Sequence, residues 1–210
     1  MPDYVDGPMR TYVEDLSSAK PAPGGGSAAA LAGALGAAAA CMAANFTVGR
    51  PKYADVQSTV KAALDDLHQA RRELLNLVDE DVRAYSKVGP AYQMPRGTEE
   101  EKAARAAAIQ EALQVACGVP LRVCAAALEA LRACEALVET CNKMLVSDVA
   151  VGAMLAEAAF RAAQVNVEIN LKAMTDAEFV AATRSTVEAD ARTARDIRDR
   201  VTAAAAQRMT

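Results

Sequence analysis

The chain has 210 residues, of which 52% are hydrophobic and only 4% aromatic, with no Trp. That length supports one domain with a sizeable core, and the Ala, Leu and Val content favours close-packed helices over a β-sandwich. A net charge of −4 gives no general attraction to nucleic acid or anionic lipid, so neither is expected as a partner.

Residues 1–7 read as an unfixed end, and Met9 to Leu16 as a short amphipathic helix with Tyr12, Val13 and Leu16 on its apolar side. The stretch Pro21-Ala22-Pro23-Gly24-Gly25-Gly26-Ser27 is a loop, because Pro and Gly punctuate structure. An alanine-rich run follows, with no charge between Lys20 and Arg50. It predicts a helix capped by Gly26 or Ser27, running to about Val48 and stopped at Gly49. Its length suits a membrane span, but Ala and Gly do not drive insertion as Leu, Ile, Phe and Val do. The acids Asp3, Asp6, Glu14 and Asp15 stand where a signal peptide would be basic. We therefore expect a buried helix of a soluble protein. Its small face, Ala29, Gly33, Gly36, Ala37 and Ala40, lets another helix approach closely, within the chain or in a second copy.

The glycine-rich helix entrance has a chemical meaning as well. The first helical amides lack internal partners and carry partial positive charge, and glycines let a ligand reach the backbone. No Gly-Lys-Ser/Thr closes the loop as in a phosphate-binding P-loop, and no strand pattern precedes it as in a dinucleotide fingerprint. A plain helix-start loop is the other reading.

Pro51 opens a long helix with an apolar stripe from Tyr53 to Tyr85, ending near Gly89-Pro90. Thr98-Glu99-Glu100-Glu101 has the form of a capping box, and Gly118-Val119-Pro120 is expected to break or kink the helix it starts. Ser147 or Asp148 would cap a further helix to about Leu171. Thr175-Asp176-Ala177-Glu178 begins the last, whose Arg- and Asp-rich later half reads as solvated. No strand emerges. The expected architecture is all-α, one domain over residues 1–210 made of long antiparallel helices.

Five scattered cysteines form no Cys-x-x-Cys pair, and with one histidine they give no zinc signature. Reduced thiols in a cytoplasm are expected, with Cys117 and Cys124 as small buried hydrophobes. His68 flanks the apolar stripe and reads as a surface residue. No nucleophile elbow or metal-ligand cluster is present, and no metal or redox cofactor is suggested. Asp148 follows Ser147 at a helix start, and Asn166 and Asn170 lie four apart on one face of an apolar helix. Asp148 as a simple cap and the asparagines as partners of buried backbone are equally good accounts, so the residues alone leave a ligand site open.

The motifs taken together resemble the cyclodeaminase/cyclohydrolase family of folate enzymes. The resemblance rests on Pro-Ala-Pro-Gly-Gly-Gly-Ser before the Ala-rich helix and on Ala44-Asn45-Phe46-Thr47-Val48-Gly49-Arg50-Pro51-Lys52-Tyr53. It continues through Asp79-Glu80-Asp81, Met94-Pro95, Val119-Pro120-Leu121, Asn142 to Asp148, and Asn166-Val167-Glu168-Ile169-Asn170-Leu171, covering about residues 8–205. It implies an all-α homodimer acting on one-carbon units carried by tetrahydrofolate. One family activity hydrolyses 5,10-methenyltetrahydrofolate to 10-formyltetrahydrofolate. The other closes 5-formiminotetrahydrofolate to the methenyl compound with loss of ammonia. The chain length and the 94–111 segment look closer to the cyclohydrolases.

On this resemblance Asp148 is the expected catalytic carboxylate, oriented by Ser147 and Asn142. Pro23, Gly24, Gly25, Gly26 and Ser27 would line the folate pocket, with Asn45, Asn166 and Asn170 as further substrate contacts. Arg50, Lys52 or Lys143 would bind the glutamate tail. The pattern departs at two positions: Cys141 and Met144 replace a glycine and an asparagine of the usual Gly-Asn-x-Asn. A folate-binding protein without turnover, and a helical interaction scaffold, are the readings from other classes.

Overall fold

A computed structural model describes residues 3–210. It contains six α-helices: α1 (Met9–Leu16), α2 (Gly25–Asn45), α3 (Gln57–Gln93), α4 (Glu99–Val138), α5 (Val146–Lys172) and α6 (Ala177–Met209). Short 3-10 turns at Pro51–Val56 and Lys143–Leu145 lead into α3 and α5, and there is no strand among the described residues. The fold is all-α, as the sequence implies. Sequential long helices run antiparallel, as the pairings Gly26 with Asp81, Glu73 with Arg122, Cys124 with Phe160 and Glu168 with Arg184 show. One hydrophobic core draws on all six helices.

The α2–α5 crossing is the tightest contact in this core. The small face foreseen on α2 is used inside the chain. A Cβ on Gly36 would lie 2.8 Å from the Gly152 carbonyl oxygen, and one on Gly152 equally close to that of Gly36. Ala37 and Ala40 are fully buried beside them. α2 and α4 are long and apolar enough to cross a membrane by length and composition, yet half or more of each apolar window is buried in the bundle.

Several helix boundaries differ from expectation. α2 starts two residues early, at Gly25 with Gly24 as N-cap, and it has no capping side chain of its own. The Asp81 carboxylate on α3 accepts from the Ser27 amide (2.9 Å) and does that work from another helix. Regular helix ends at Asn45, and the chain turns through Gly49, whose φ of +72° suits glycine. α3 passes through Pro90 to Gln93, so that Ala91 packs with Ile109 and Leu113 of α4. α4 runs unbroken through Pro120, which together with Val119 is buried. Leu145, not Ser147 or Asp148, is the N-cap of α5, while Asn142 caps the preceding 3-10 turn through the Met144 amide. The Thr98 capping box is present, and Asp176 caps α6. α6 keeps Val187, Ile197 and Val201 buried and leaves Arg192, Arg195, Asp196, Asp199 and Arg200 exposed, while Arg208 turns back to the Cys141 carbonyl.

The amino-terminal segment is not an unfixed end from residue 3 onward; residues 1 and 2 lie outside the described ones. Tyr4 is buried, its amide donates to Asp79 Oδ1 (2.8 Å), and the Val5 amide reaches Asp79 Oδ2 (3.4 Å). An acid placed on the buried side of α3 supplies these acceptors from 75 residues away.

Gly36→Val should cost about 1–3 kcal/mol or more, because a branched side chain would press on a backbone that cannot retreat. Gly118→Ala, in open space within α4, should instead stabilise by up to about 1 kcal/mol through helix propensity. Urea denaturation of the two variants checks both signs.

Candidate functional site

The start of α2 forms one wall of a cleft of about 440 Å³. Gly24, Gly25 and Gly26 contribute backbone, α3 contributes Asp81 and Tyr85, α4 Leu113 and Pro120, and α5 Asn166 and Asn170. A second hollow, of about 410 Å³, continues it past Pro21, Ala22, Tyr85 and Tyr92. Pro120 also lacks the amide that would bond the Ala116 carbonyl in a regular helix, and both residues line the cleft.

Asp81 is the chemical centre of this cleft. It carries the only formal charge among the described residues that line it. Burial pushes its carboxyl above the ordinary range, and the hydrogen bond from the Ser27 amide partly opposes that shift. A Cβ on Gly26 would collide with this carboxylate, so Gly26 is required for Asp81 to reach the helix start. Asn166 stands beside Gly25, within 3.7 Å of where a Cβ would be. The side-chain amides of Asn166 and Asn170 donate to the carbonyls of Ala162 (2.9 Å) and Asn166 (2.8 Å). Those bonds fix the two side chains with their carboxamide oxygens free to accept.

The expected site residues separate into two groups. Gly24, Gly25, Gly26, Asn166 and Asn170 meet in the cleft. Ser27 is fully buried behind it, and Pro23, which follows a cis peptide bond, is buried as well. Asn45, Arg50, Lys52, Asn142, Lys143, Ser147 and Asp148 lie at the other end of α2 and α5. Asp148 and Asn166 are 18 residues apart on one helix, which is about 27 Å at 1.5 Å per residue. At that end Arg50, Lys52 and Asn142 line a shallow hollow of about 340 Å³. Lys52 lies 5.6 Å from the centre of the Tyr53 ring. Asn142 accepts from the Tyr53 hydroxyl (3.2 Å) and the Met144 amide (3.1 Å) and makes no bond to Asp148. Ser147 is exposed and Asp148 half-buried. Of the two departures, Met144 is 82% exposed, and Cys141 is buried with its carbonyl held by Arg208.

Asp81 was not among the expected site residues, although the sequence held its signal. On α3 the steps Leu74, Leu77, Val78, Asp81, Val82 and Tyr85 keep helical spacing, so an acid occupies a core-facing position. Tyr85 was missed because an aromatic residue on such a stripe reads as core, and Tyr92 because the helix was expected to end near Gly89-Pro90, yet they are 57% and 46% exposed. All five cysteines are free and buried, with Cys124 and Cys134 pushed up to about 12 by burial. No group of His, Cys, Asp and Glu suited to a metal ion occurs among the described residues.

A family model described as formiminotransferase-cyclodeaminase matches residues 8–189. The chain belongs to the formiminotransferase-cyclodeaminase family. Within it, the methenyltetrahydrofolate cyclohydrolase of Methylorubrum extorquens is 42% identical over 171 residues, 81% of this chain and 82% of its own length. The formimidoyltransferase-cyclodeaminase of Rattus norvegicus is 37% identical over 180 residues, and the match spans 33% of that longer protein. The crystal structure of formiminotetrahydrofolate cyclodeaminase from Thermotoga maritima superposes with a TM-score of 0.78 at 29% identity. That match covers 96% of this chain and 95% of the other. The family model therefore includes the whole cleft and stops within α6.

A raised acid pKa means that the folded chain holds the Asp81 proton more tightly than the unfolded chain. The group therefore favours folding at low pH, and this contribution is lost as pH rises through the folded value. Asn keeps an oxygen for the Ser27 amide and carries no charge. Asp81→Asn is expected to be at least as stable as the parent at pH 8, with its advantage shrinking toward pH 4. Urea midpoints at the two pH values measure this.

Proposed function

We propose that this protein hydrolyses 5,10-methenyltetrahydrofolate to 10-formyltetrahydrofolate, with Asp81 as the carboxylate at the reacting carbon. The observation that carries the reading is a half-buried acid, unaccompanied by any described cation, at an amide-rich helix start. The methenyl group is a cationic amidinium, and a partly desolvated carboxylate stabilises such a charge more strongly than one in water. Likeness to the Methylorubrum cyclohydrolase over most of both chains supports the same reaction.

Water attacks the methenyl carbon and forms a C–O bond while Asp81 accepts its proton. The tetrahedral adduct then breaks its bond to N5, and that nitrogen takes a proton. The sum is one water consumed and one proton released. Gly24, Gly25 and Gly26 bring the backbone against the ligand, Asn166 and Asn170 offer carboxamide oxygens to the pterin, and Tyr85 and Tyr92 flank the outer hollow. The cyclodeaminase reaction is the second reading, supported by the Thermotoga neighbour. There N10 attacks the formimino carbon, and a carboxyl with a raised pKa protonates the departing ammonia.

A homodimer is part of this proposal. The outward sides of α2 and α5 present Leu35, Met42, Phe46, Val151, Met154 and Val165, all 43–60% exposed. α2 has no charged residue at all. Such a continuous apolar face suits burial against a second copy. Pairing with the helices of the two copies antiparallel would set the Asp148 end of one chain beside the Gly24–Gly26 end of its partner. Arg50, Lys52 and Lys143 could then meet the folate tail from that partner.

Asp81→Asn should lower the rate of methenyl-band loss by about 10²–10³-fold while the fold persists. The assay follows absorbance against spontaneous hydrolysis, with ammonia release from 5-formiminotetrahydrofolate measured in parallel. Near-normal turnover in Asp81→Asn together with an inactive Asp148→Asn would return the chemistry to Asp148. Ammonia release with methenyl build-up would select the cyclodeaminase reading.

Leu35→Glu combined with Met154→Lys should convert a dimer to a monomer in light scattering. Turnover retained by that monomer would show the cleft to be complete in one chain.

A further inference from the structure

The geometry points to Tyr12 as a positioning residue for the Asp81 site, acting through Ser27; this rests on Asp81 being the reacting carboxylate. Tyr12 is 4% exposed, and neither it nor Ser27 lines the cleft. Its hydroxyl lies 3.1 Å from Ser27 Oγ, and the Ser27 amide in turn donates to Asp81 Oδ2 at 2.9 Å. The Tyr12 ring meets Tyr4 edge-on, with centres 5.4 Å apart. Tyr4 is fastened at both ends, by its amide to Asp79 and by its hydroxyl to Asp15 Oδ2 (2.9 Å). The helix α1 is thereby locked to α3, and its tyrosine reaches the residue that supplies the amide to Asp81.

The groups facing Asp81 make that amide important. α1 brings Tyr12, whose hydroxyl is held un-ionised by burial first and by the charges of Asp81 and Asp79 in addition. α2 brings Ser27 and the glycine backbone, α3 brings Tyr85, and α5 brings Asn166 and Asn170, while Asp79 is turned to the Tyr4 and Val5 amides. α4 presents only Leu113, Ala116 and Pro120 to the cleft. No described cation compensates the carboxylate, so its ionised form depends on oriented dipoles. Ser27, held by Tyr12, keeps the one directed N–H in place. Freeing Ser27 weakens that bond, makes the ionised form less favourable, and moves the acid to higher pKa.

The test is the pH profile of methenyl hydrolysis in Tyr12→Phe, which keeps the ring and its contact with Tyr4 and removes only the hydroxyl. Helical content should be unchanged, turnover should fall roughly tenfold, and the acid limb of kcat/KM should move to higher pH. Ser27→Ala should shift the limb the same way, and the double variant should add little to either single change. A parent-like rate and limb in Tyr12→Phe, alongside an inactive Asp81→Asn, would overturn the positioning role and leave the reading of the cleft standing. A lower rate with an unmoved limb and additive variants would overturn it too, as the mark of a merely structural contact. An active Asp81→Asn would instead remove the reading on which this inference rests.

Discussion

The contact between the Asp81 carboxylate and the first turn of α2 organises one end of the bundle. A helix that begins with three small residues has open amides and nothing of its own to satisfy them. Here the acceptor comes from 54 residues further along the chain. The negative charge also faces the positive end of the helix, which offsets part of its desolvation. That arrangement requires Gly26, where any side chain would displace the carboxylate. The polar atoms of the cleft are therefore fixed by backbone geometry, with little freedom left in side-chain torsions.

A second constraint lies in the middle of α2. The mutual approach of Gly36 and Gly152 sets the register of α2 against α5, and everything along both helices follows from it. Eleven residues toward the start of α2, the same register places Gly25 beside Asn166. Toward the other end it places the turn after Asn45 against the turn before Val146, where Thr47 Oγ1 accepts from the Asn142 amide (2.9 Å). Two polar clusters thus occupy opposite ends of one rigid crossing. Motifs that stand close in an ordered list of sequence features are separated by the full length of that helix pair.

This separation explains what the sequence could and could not convey. The helical fold was legible because composition, stripe periodicity and the Thr98 box all agree. The glycine loop and the paired asparagines were assigned to one pocket only through the family resemblance, since their residue types and spacing alone leave a ligand site open. α3 and α4 continue past Pro90 and Pro120, where an end and a break or kink were expected, because tertiary packing of Ala91 and Val119 outweighs one lost backbone bond at each proline. Tyr4 could not be placed, since nothing local distinguishes an amide that will find a buried aspartate 75 residues away. Asp81 was legible in principle. An acid on the core side of an otherwise apolar stripe must find donors there, and the amides of the glycine loop are one uncapped set that could supply them.

The charge inventory of the cleft bears on more than the chemical step. Under the proposed reaction the substrate centre is cationic and the formyl product is neutral there. The attraction to Asp81 acts on the substrate and disappears once water has added and its proton has passed to the carboxylate, so the same group that draws in the cation ceases to hold the product. The glutamate end of a folate is anionic, and a cleft whose only described charge is negative directs that end outward. The tyrosine-flanked hollow beside Pro21 gives it an exit. Orientation of the ligand then follows from charge alone: cation against Asp81, ring system between the asparagines and the glycine backbone, carboxylates toward solvent or a neighbouring chain.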